Sequence, residues 1–255
     1  MSKIIFFDLA SKKPEWPWGP NNWRTRYTLN YKGIPYDTEW IEFPDIAPKS
    51  KALGIPPGET DHLGNPQYCV PAIWDPTTQT GISNSYEIAK YLDRAYPNTP
   101  PVMFDGIDEW YDKIVAIPRT VKSMARFIVP LSYDEVLSEA SKPYFKKTRE
   151  EAFGCTLDEL KPQNEEERKR LWEVDVKGGF EAIDEWVSDR GKRQSTFFRG
   201  EEPCYVDFAL GGYLMWFKLL FGEESEMWKD ISERWNEGRI GKFFKSLEKY
   251  EKPRE

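Results

Sequence analysis

The sequence predicts an α/β domain over residues 1–97, a linker over 98–105 and an all-α domain over 106–255. Strand-like apolar runs and helix-like periodic runs alternate up to residue 96. The stretch PNTPPVMFD, 97–105, opens with three prolines in five residues, which is typical of a domain boundary. Beyond it no convincing strand pattern follows, and long charged helical stretches dominate. A mixed domain followed by a helical domain is therefore expected.

The first half of the α/β domain has the pattern strand, helix, strand. KIIFFD, 3–8, is a short apolar run of the kind that forms a buried strand. Residues 21–32 form an amphipathic helical pattern with aromatic side chains at i, i+4 and i+8, and Gly33 follows where a left-handed helix cap is usual. YDTEWIEF, 36–43, alternates polar and apolar residues and predicts a second strand.

The second half has the pattern loop, strand, strand, helix. Residues 44–66 contain five prolines and three glycines, so we expect little regular structure there. VPAIWD, 70–75, and TGIS, 80–83, predict two strands joined by a turn around Pro76. NSYEIAKYLDRAY, 84–96, has a helical apolar face and completes the order β, α, β, loop, β, β, α.

The helical domain contains one segment that differs from the rest. Charged helical patterns such as 164–190 alternate with DFALGGYLMWFKLLF, 207–221, which is apolar nearly all round. A helix without a polar face belongs in the interior of a bundle. We therefore expect 207–221 to form the core of this domain.

Composition excludes several classes of protein. The 255 residues carry 36 Lys and Arg against 43 Asp and Glu, a net charge of −7, with no basic run that could follow a phosphate backbone or bind an acidic membrane. No signal peptide, membrane span or lipidation motif is apparent, which favours a cytoplasmic protein. Three distant cysteines without a CxxC pair and a single histidine, His62, argue against disulfides and against a metal site.

The α/β domain resembles a thioredoxin-like fold, with Pro71 at the start of its third strand. A cis Val70–Pro71 bond would leave the Val70 N–H and C=O free to pair with a peptide-like ligand, whereas an ordinary trans turn is the alternative. NWRTRYTLNYKGIPYDTEWIEF and VPAIWD with ISNSYEIAKYLD resemble the glutathione transferases. WPWGPNNWRTRYTLNYKGIPY is similar to their fungal etherase-like class, which is related to bacterial β-etherases. The resemblance implies a cis bond and a glutathione transferase fold.

The resemblance also implies where glutathione binds as co-substrate. The cysteinyl backbone would pair with Val70 beside Pro71, and the γ-glutamyl carboxylate would meet the helix start at Asn84 and Ser85, where N–H groups and the helix dipole favour an anion. Lys49 and Lys51 lie in the segment where the family positions a cation for the glycine carboxylate, and Lys49 is the candidate. Alternatively, Asn84 and Ser85 only cap the helix and Lys49 is solvated.

The sulfur-activating position departs from the family pattern. The etherase-like pattern has a serine directly before PN, and this chain has Gly19 there. Stabilisation of the thiolate would then fall to the backbone N–H groups or side chains of Asn21 and Asn22 and to the helix dipole. The alternative is that Gly19 and Pro20 form a plain helix entry.

An aromatic substrate site is the last feature that the sequence suggests. Trp16, Trp18 and Trp23 would form a wall for a flat electrophile or phenolic ligand, although buried aromatic side chains more often belong to a core. Tyr111 and Met124, in the first helices of the second domain, would complete it. GEEPCYVDFALGG, 200–212, resembles a helix start of the family, where Asp207 accepts the N–H of residue 204 as a structural cap.

Together these features predict a glutathione transferase that attacks aromatic or ether electrophiles with the glutathione thiolate. It would form a homodimer and need no metal, nucleic acid or membrane. Two alternatives stay open, and Gly19 favours the first. One is a non-catalytic carrier that holds glutathione and aromatic molecules, and the other is a partner-binding protein without glutathione affinity.

Overall fold

The computed structural model describes residues 2–60, 64–110, 122–188 and 196–253, with the side chains of 186–188 excepted. The α/β domain contains four main strands, two short strands and three helices. They are β1 (Ile4–Leu9), α1 (Pro20–Lys32), β2 (Tyr36–Ile41), α2 (Ile46–Ala52), β3 (Glu59–Thr60), β4 (Pro66–Gln67), β5 (Ala72–Asp75), β6 (Thr80–Ser83) and α3 (Ser85–Ala95). Outside residues 44–66 the predicted element order is confirmed, and the strand and helix ends shift by at most two residues.

The four main strands form one sheet in the order β2-β1-β5-β6. β1 and β2 are parallel, with Ile4 opposite Tyr36, whereas β5 is antiparallel to both of its neighbours. Parallel strands need a crossover, and α1 supplies it. A sheet of this order with helices beside it is the thioredoxin-like architecture that the sequence predicts.

Two local predictions for residues 36–66 were wrong. The strand β2 ends at Ile41, two residues early, and Phe43–Asp45 form a 3-10 turn around Pro44. The proline-rich stretch contains the helix α2, because Pro48 is its third residue, where no N–H donor is needed within the helix. β3 and β4 also pair within this stretch, and residues 61–63 between them lie outside the described residues.

The regular structure of the second domain's described part is helical, apart from one isolated β-bridge between Phe197 and Gly200. The chain is helical at 107–110, and a 3-10 turn at Lys122–Met124 follows the undescribed stretch 111–121. The further helices are α4 (Ala125–Glu135), α5 (Lys142–Phe153), α6 (Leu157–Leu160), α7 (Glu165–Arg170), α8 (Lys177–Ser188), α9 (Tyr205–Phe221), α10 (Glu226–Lys229) and α11 (Arg239–Lys245). A π-helical stretch, Leu171–Val176, joins α7 to α8. Short π and 3-10 turns complete the C-terminal end at Asp230–Arg234, Trp235–Gly238 and Glu248–Tyr250.

Helix α9 is the core helix of this domain, as its apolar sequence predicts. Most of its residues are buried, and its first turn is fixed by Asp207, which is fully buried. The Asp207 carboxylate accepts the Cys204 N–H at 2.9 Å and the Phe198 N–H at 2.9 Å, and the Cys204 thiol donates to it at 3.2 Å. Cys204 thus takes the place of the hydroxyl residue of a capping box.

The two domains pack through α1 and α9. The aromatic stripe of α1 faces the helical domain, and Tyr27 stacks on Phe208 with 5.7 Å between ring centroids. Gly212 lets the helices approach closely, because a β-carbon there would lie 2.4 Å from the Pro20 carbonyl oxygen. The start of α1 is therefore pressed against the helical domain, and a cleft opens beside it. No helix within the described ranges is long and apolar enough to cross a membrane.

Candidate functional site

The cleft is a cavity of about 590 Å³ between the α/β domain and the helical domain. Its α/β wall comes from the start of α1, the segment before β5 and the start of α3. The helical wall comes from α4, α5 and α9, and the loop after β2 closes the mouth. Its lining includes Leu9, Trp18, Gly19, Pro20, Asn21, Asn22, Arg24, Phe43, Ile46, Glu59, Gln67, Tyr68, Cys69, Val70, Pro71, Asn84, Ser85, Val129, Tyr144, Phe145, Thr148, Arg149, Tyr213 and Trp216.

Most of the predicted glutathione-binding residues lie together on this cavity, namely Gly19, Val70, Pro71, Asn84 and Ser85, together with Asn21 and Asn22. Lys49, the predicted partner of the glycine carboxylate, does not line the cavity. Its ammonium pairs with Glu39 at 2.6 Å.

Of the residues predicted for the aromatic substrate site, only some line the cavity. Trp18 lines the cavity, whereas Trp16 and Trp23 do not. Met124 is buried in the hydrophobic core away from the cavity lining. Tyr111 and His62 lie outside the described residues.

The segment before β5 offers backbone groups to the cavity. The Val70–Pro71 bond is cis, as the resemblance implies. Within the described part of the chain, the Val70 N–H and C=O have no hydrogen-bond partner, while the Pro71 C=O accepts the Asn84 N–H at 3.1 Å. Val70 thus presents one free donor and one free acceptor, the pairing pattern of an added peptide strand.

The start of α3 combines a cap with a buried hydroxyl. Asn84 has a positive φ of 73°, and its side-chain oxygen accepts the Tyr86 N–H at 2.9 Å, so this residue does act as a helix cap. The Ser85 hydroxyl lies 2.9 Å from the Tyr205 hydroxyl and is buried. The helix start therefore keeps the Ser85 N–H and O–H at the cavity wall, at the positive end of the helix dipole.

The start of α1 has no side-chain cap. The first intrahelical bond runs from the Trp23 N–H to the Gly19 C=O at 3.0 Å, which leaves the N–H groups of Asn21 and Asn22 without intrahelical partners. Gly19 has ordinary extended dihedral angles, so its backbone conformation does not require glycine. A β-carbon there would lie 2.9 Å from the Asn22 side-chain oxygen, and crowding by Asn22 therefore favours glycine.

Tryptophan side chains hold the loop that precedes α1. The Trp18 indole N–H donates to the Ala10 C=O at 3.2 Å, and the Trp23 indole N–H donates to the Pro17 C=O at 3.1 Å. Both side chains are buried. The tryptophans of this loop thus fix the position of the α1 start, and Trp18 alone of the three contributes a face to the cavity.

The helical wall contains residues that the sequence did not single out. Phe43 stacks on Tyr144 of α5 with 5.7 Å between ring centroids, and the Phe43 N–H donates to the Ser141 hydroxyl at 3.0 Å. Tyr144, Phe145, Thr148 and Arg149 share one face of α5, as the spacing i, i+1, i+4 and i+5 allows. That spacing was visible in the sequence, but many surface helices share it.

Arg24 was also missed, although it follows Pro20 by one helical turn. Its side chain is 7% exposed and lines the cavity, and its guanidinium lies 4.8 Å from the centroid of the Tyr213 ring. Burial acts to lower the pKa of Arg24, but the hydroxyls of Tyr213 and Tyr205 outweigh it and the pKa is raised. Arg24 is therefore a buried cation at the floor of the cleft.

Cys69 lines the α/β wall directly before Val70. Burial, with a smaller effect of the Glu59 charge, raises the pKa of the Cys69 thiol to about 11. The protonated thiol therefore dominates near neutral pH, and Cys69 is a weak nucleophile. In the described part of the chain, no group of three His, Cys, Asp or Glu side chains could hold a metal ion.

Comparison with known protein families gives two matches, one to each domain of the chain. Residues 18–95 match the glutathione S-transferase N-terminal domain, and residues 111–250 match the glutathione S-transferase C-terminal domain. A curated relative, the glutathione S-transferase-like protein ustS of Aspergillus flavus, is 33% identical over 249 residues, which cover 92% of this chain and 86% of the relative.

Solved structures with the same fold include two proteins of Ceriporiopsis subvermispora that were crystallised in complex with glutathione. The glutathione S-transferase CsGST63524 is 36% identical, with a TM-score of 0.90 and full coverage of both chains. CsGST83044 is 33% identical, with a TM-score of 0.89 over 97% of this chain and 99% of that one. The glutathione transferase GSTFuA3 of Phanerochaete chrysosporium is 31% identical, with a TM-score of 0.87 and full coverage of both.

Proposed function

The chain belongs to the glutathione S-transferase family, and we propose that it is an active glutathione transferase that binds reduced glutathione in the cleft and attacks aromatic electrophiles. One observation supports this proposal most strongly: three separate groups that could bind glutathione line the same cavity. These are the free backbone pair at Val70, the start of α3 with Ser85, and the uncapped start of α1. They lie on the α/β wall, and aromatic side chains of α5 and α9 line the helical wall.

Glutathione would be held mainly by groups that do not ionise. The cysteinyl N–H and C=O would pair with the Val70 C=O and N–H, as an added strand does. The γ-glutamyl carboxylate would accept bonds from the Ser85 N–H and O–H at the α3 start, where the helix dipole favours an anion. Asn84 contributes its conformation and its cap, because its side-chain oxygen is already bonded to the Tyr86 N–H.

The sulfur would lie at the start of α1, where the N–H groups of Asn21 and Asn22 stabilise a thiolate over a thiol. The stabilisation expected at a helix start is about 0.3–1 kcal/mol when exposed and up to ~2 kcal/mol when partly buried. Since one pKa unit is about 1.4 kcal/mol, this lowers the thiol pKa by roughly one unit. The thiol proton passes to water as the thiolate forms.

The reaction would be a displacement by sulfur. The thiolate attacks the electrophilic carbon, a carbon–sulfur bond forms, and the bond to the leaving group breaks. With an aryl ether the leaving group is a phenolate, which takes a proton from water. This is the chemistry of the etherase-like class, which we propose for this chain because WPWGPNNWRTRYTLNYKGIPY resembles that class.

The test is a calorimetric titration with reduced glutathione near neutral pH, followed by turnover assays. The assays use 1-chloro-2,4-dinitrobenzene as a general aromatic electrophile and a β-aryl ether that releases a fluorescent phenol. Micromolar to millimolar binding with release of the phenol supports the proposal. The absence of binding at two temperatures would contradict it, because the cleft would then lack glutathione affinity.

A non-catalytic carrier is the second candidate, and Gly19 favours it. No hydroxyl stands at the position where the etherase-like pattern has serine, and the neighbouring Asn22 crowds that position. A carrier would bind glutathione and aromatic molecules without consuming either. Retention of both ligands with no product after prolonged incubation would decide for the carrier. We also propose a homodimer, which sedimentation equilibrium would test.

A further inference from the structure

The floor of the cleft holds a buried positive charge without a counter-ion. Arg24 forms no ion pair in the described part of the chain, and its Nε and Nη2 atoms are buried without a hydrogen-bond acceptor there. Its neighbour on α1, Arg26, pairs instead with the buried Asp8 at 2.7 Å. The Arg24 guanidinium has the neutral hydroxyls of Tyr213 and Tyr205 beside it but no carboxylate among the described residues. A buried cation without a counter-ion is costly in free energy, because neutral protein groups replace its hydration incompletely.

The other buried side-chain atoms on the cavity wall that lack a hydrogen-bond partner are donors, as the Arg24 nitrogens are. The Trp216 indole N–H is buried without an acceptor in the described ranges. The Asn22 side-chain N–H₂ is also buried without a bond of standard geometry, but the Asp8 carboxylate lies beside it and accepts from it weakly. Among the described cavity-lining side chains, every buried polar atom that lacks a partner is thus an N–H donor. Such a wall calls for a ligand that brings acceptors.

The charged side chains around the cavity also favour a ligand with a negative charge. A second arginine, Arg149, lines the helical wall with its guanidinium 4.8 Å from the Phe145 ring centroid, and it forms no ion pair with a described residue. Glu59 is the single acidic side chain in the described lining, and it lies on β3, in the α/β wall. The helical side of the cleft is therefore positive in a protein whose net charge is −7.

We propose that the second ligand of the cleft is an aromatic acid, whose carboxylate pairs with Arg24 and whose ring lies among Tyr213, Trp216 and the aromatic residues of α5. A guanidinium binds a carboxylate through two parallel N–H bonds, and the flat walls favour a ring over a small inorganic anion. This inference deepens the proposed function by naming the substrate class, and it rests on that function only for the acid's role as co-substrate.

Calorimetry with a matched pair of probes tests the inference. The whole chain is titrated with 2-naphthoate and with 2-naphthamide, which has the same ring and no charge, in the presence and absence of reduced glutathione. We expect naphthoate to bind ~10- to ~100-fold more tightly than the amide, the range of a charge-assisted hydrogen bond. Equal affinities in the wild-type chain would overturn the inference.

Substitutions at Arg24 assign the effect to this side chain. Arg24→Met should remove the preference for naphthoate and leave the amide unchanged, whereas Arg24→Lys should keep part of the preference because the charge stays. Because methionine replaces an unpaired buried cation, the variant should melt at or above the wild-type temperature. Arg168→Met is the control, since this exposed arginine pairs with Glu165 away from the cavity. A preference that survives Arg24→Met would contradict the inference.

A competing role for Arg24 gives a different result. If its charge serves the glutathione sulfur, Arg24→Met will raise the pKa of the bound thiol, measured by thiolate absorbance near 240 nm, and leave the naphthoate preference intact. The inference also fails separately from the proposed function. Glutathione binding without a naphthoate preference overturns the inference alone, whereas a naphthoate preference without glutathione binding overturns the proposed function and leaves the aromatic-acid site standing.

Discussion

The α/β wall of the cleft presents backbone groups and helix starts, whereas the helical wall presents aromatic rings and the second of two unpaired arginines. On the α/β wall the polar groups include the Val70 backbone pair, the N–H groups that begin α1 and α3, and the side chains of Glu59 and Gln67. On the helical wall Tyr144, Phe145 and Tyr213 give flat faces, and Arg149 gives charge. Arg24, on α1, lies at the seam between the walls and contacts Tyr213.

This difference indicates how each wall can change during evolution. A backbone site depends on the path of the chain, so most side-chain substitutions leave it intact. A site made of side chains changes with each substitution, and it suits the ligand that varies among members of a family. We therefore expect the α/β wall to bind the constant ligand, glutathione, and the helical wall to select the second ligand.

The largest expected effect concerns the Cys69 thiol, which belongs to the α/β wall and should be unreactive. Its pKa of about 11 implies that alkylation by iodoacetamide at pH 8 is about 100-fold slower than at an ordinary thiol, because only the thiolate reacts and each unit is a factor of ten. The rate should rise with pH up to about 11. Peptide mapping after timed alkylation measures it, with the urea-unfolded chain as reference. Equal rates in the two states would show that the wall contains a reactive thiol.

Ser85→Ala tests the claim that the α/β wall holds an anion at the α3 start. The substitution removes a hydroxyl expected to donate to the γ-glutamyl carboxylate, and we expect glutathione affinity to fall ~10- to ~30-fold, or about 1.5–2 kcal/mol. Tyr205→Phe is the matched control, because it removes the other hydroxyl of the buried pair and leaves Ser85 in place. Unchanged affinity in the alanine variant, measured by calorimetry, would place the glutamyl group elsewhere.

Gly212→Ala tests whether close packing of α1 on α9 joins the two walls. The added β-carbon would lie 2.4 Å from the Pro20 carbonyl oxygen, so the start of α1 must move. We expect the free energy of unfolding to fall by about 1–3 kcal/mol, and glutathione affinity should fall with it. Urea denaturation measures the stability change.

Gly178→Ala is the control for that substitution. This glycine lies in α8 with no atom within 4 Å of the added β-carbon, and alanine is a better helix former. The variant should gain up to about 1 kcal/mol. If both alanine variants behave alike, close packing between α1 and α9 does not hold the walls together.

Gly19→Ser should have the smallest effect of these substitutions. It tests whether position 19 of the α/β wall faces the glutathione sulfur. A serine hydroxyl near the thiolate should lower the pKa of bound glutathione by up to about one unit. Gly19→Ala makes the same contact with Asn22 without the hydroxyl, so the difference between the two variants isolates the hydroxyl. Thiolate absorbance across a pH series measures both. Identical pKa values would mean that position 19 does not face the sulfur.

More of the residues singled out from the sequence line the α/β wall than the helical wall. Val70 and Pro71 directly precede β5, Asn84 and Ser85 directly follow β6, and the antiparallel pairing of these consecutive strands brings both pairs to one end of the hairpin. Lys49 shows the limit of such reasoning. Its position in the chain suggested a ligand contact, but the neighbouring strand β2 offers Glu39, and the two side chains pair at 2.6 Å.

The sequence alone determined the order of the main strands and helices outside 44–66, the interior position of 207–221 and the cap at Asp207, because these follow from periodicity and from contacts between residues close in the chain. The tertiary structure decided which side chains meet across the cleft. Arg24 contacts Tyr213, and Phe43 stacks on Tyr144, although each pair is separated by about a hundred residues or more. The first contact depends on how α1 packs against α9, which Gly212 permits, and the second depends on how α5 lies against the turn after β2; no local pattern encodes either.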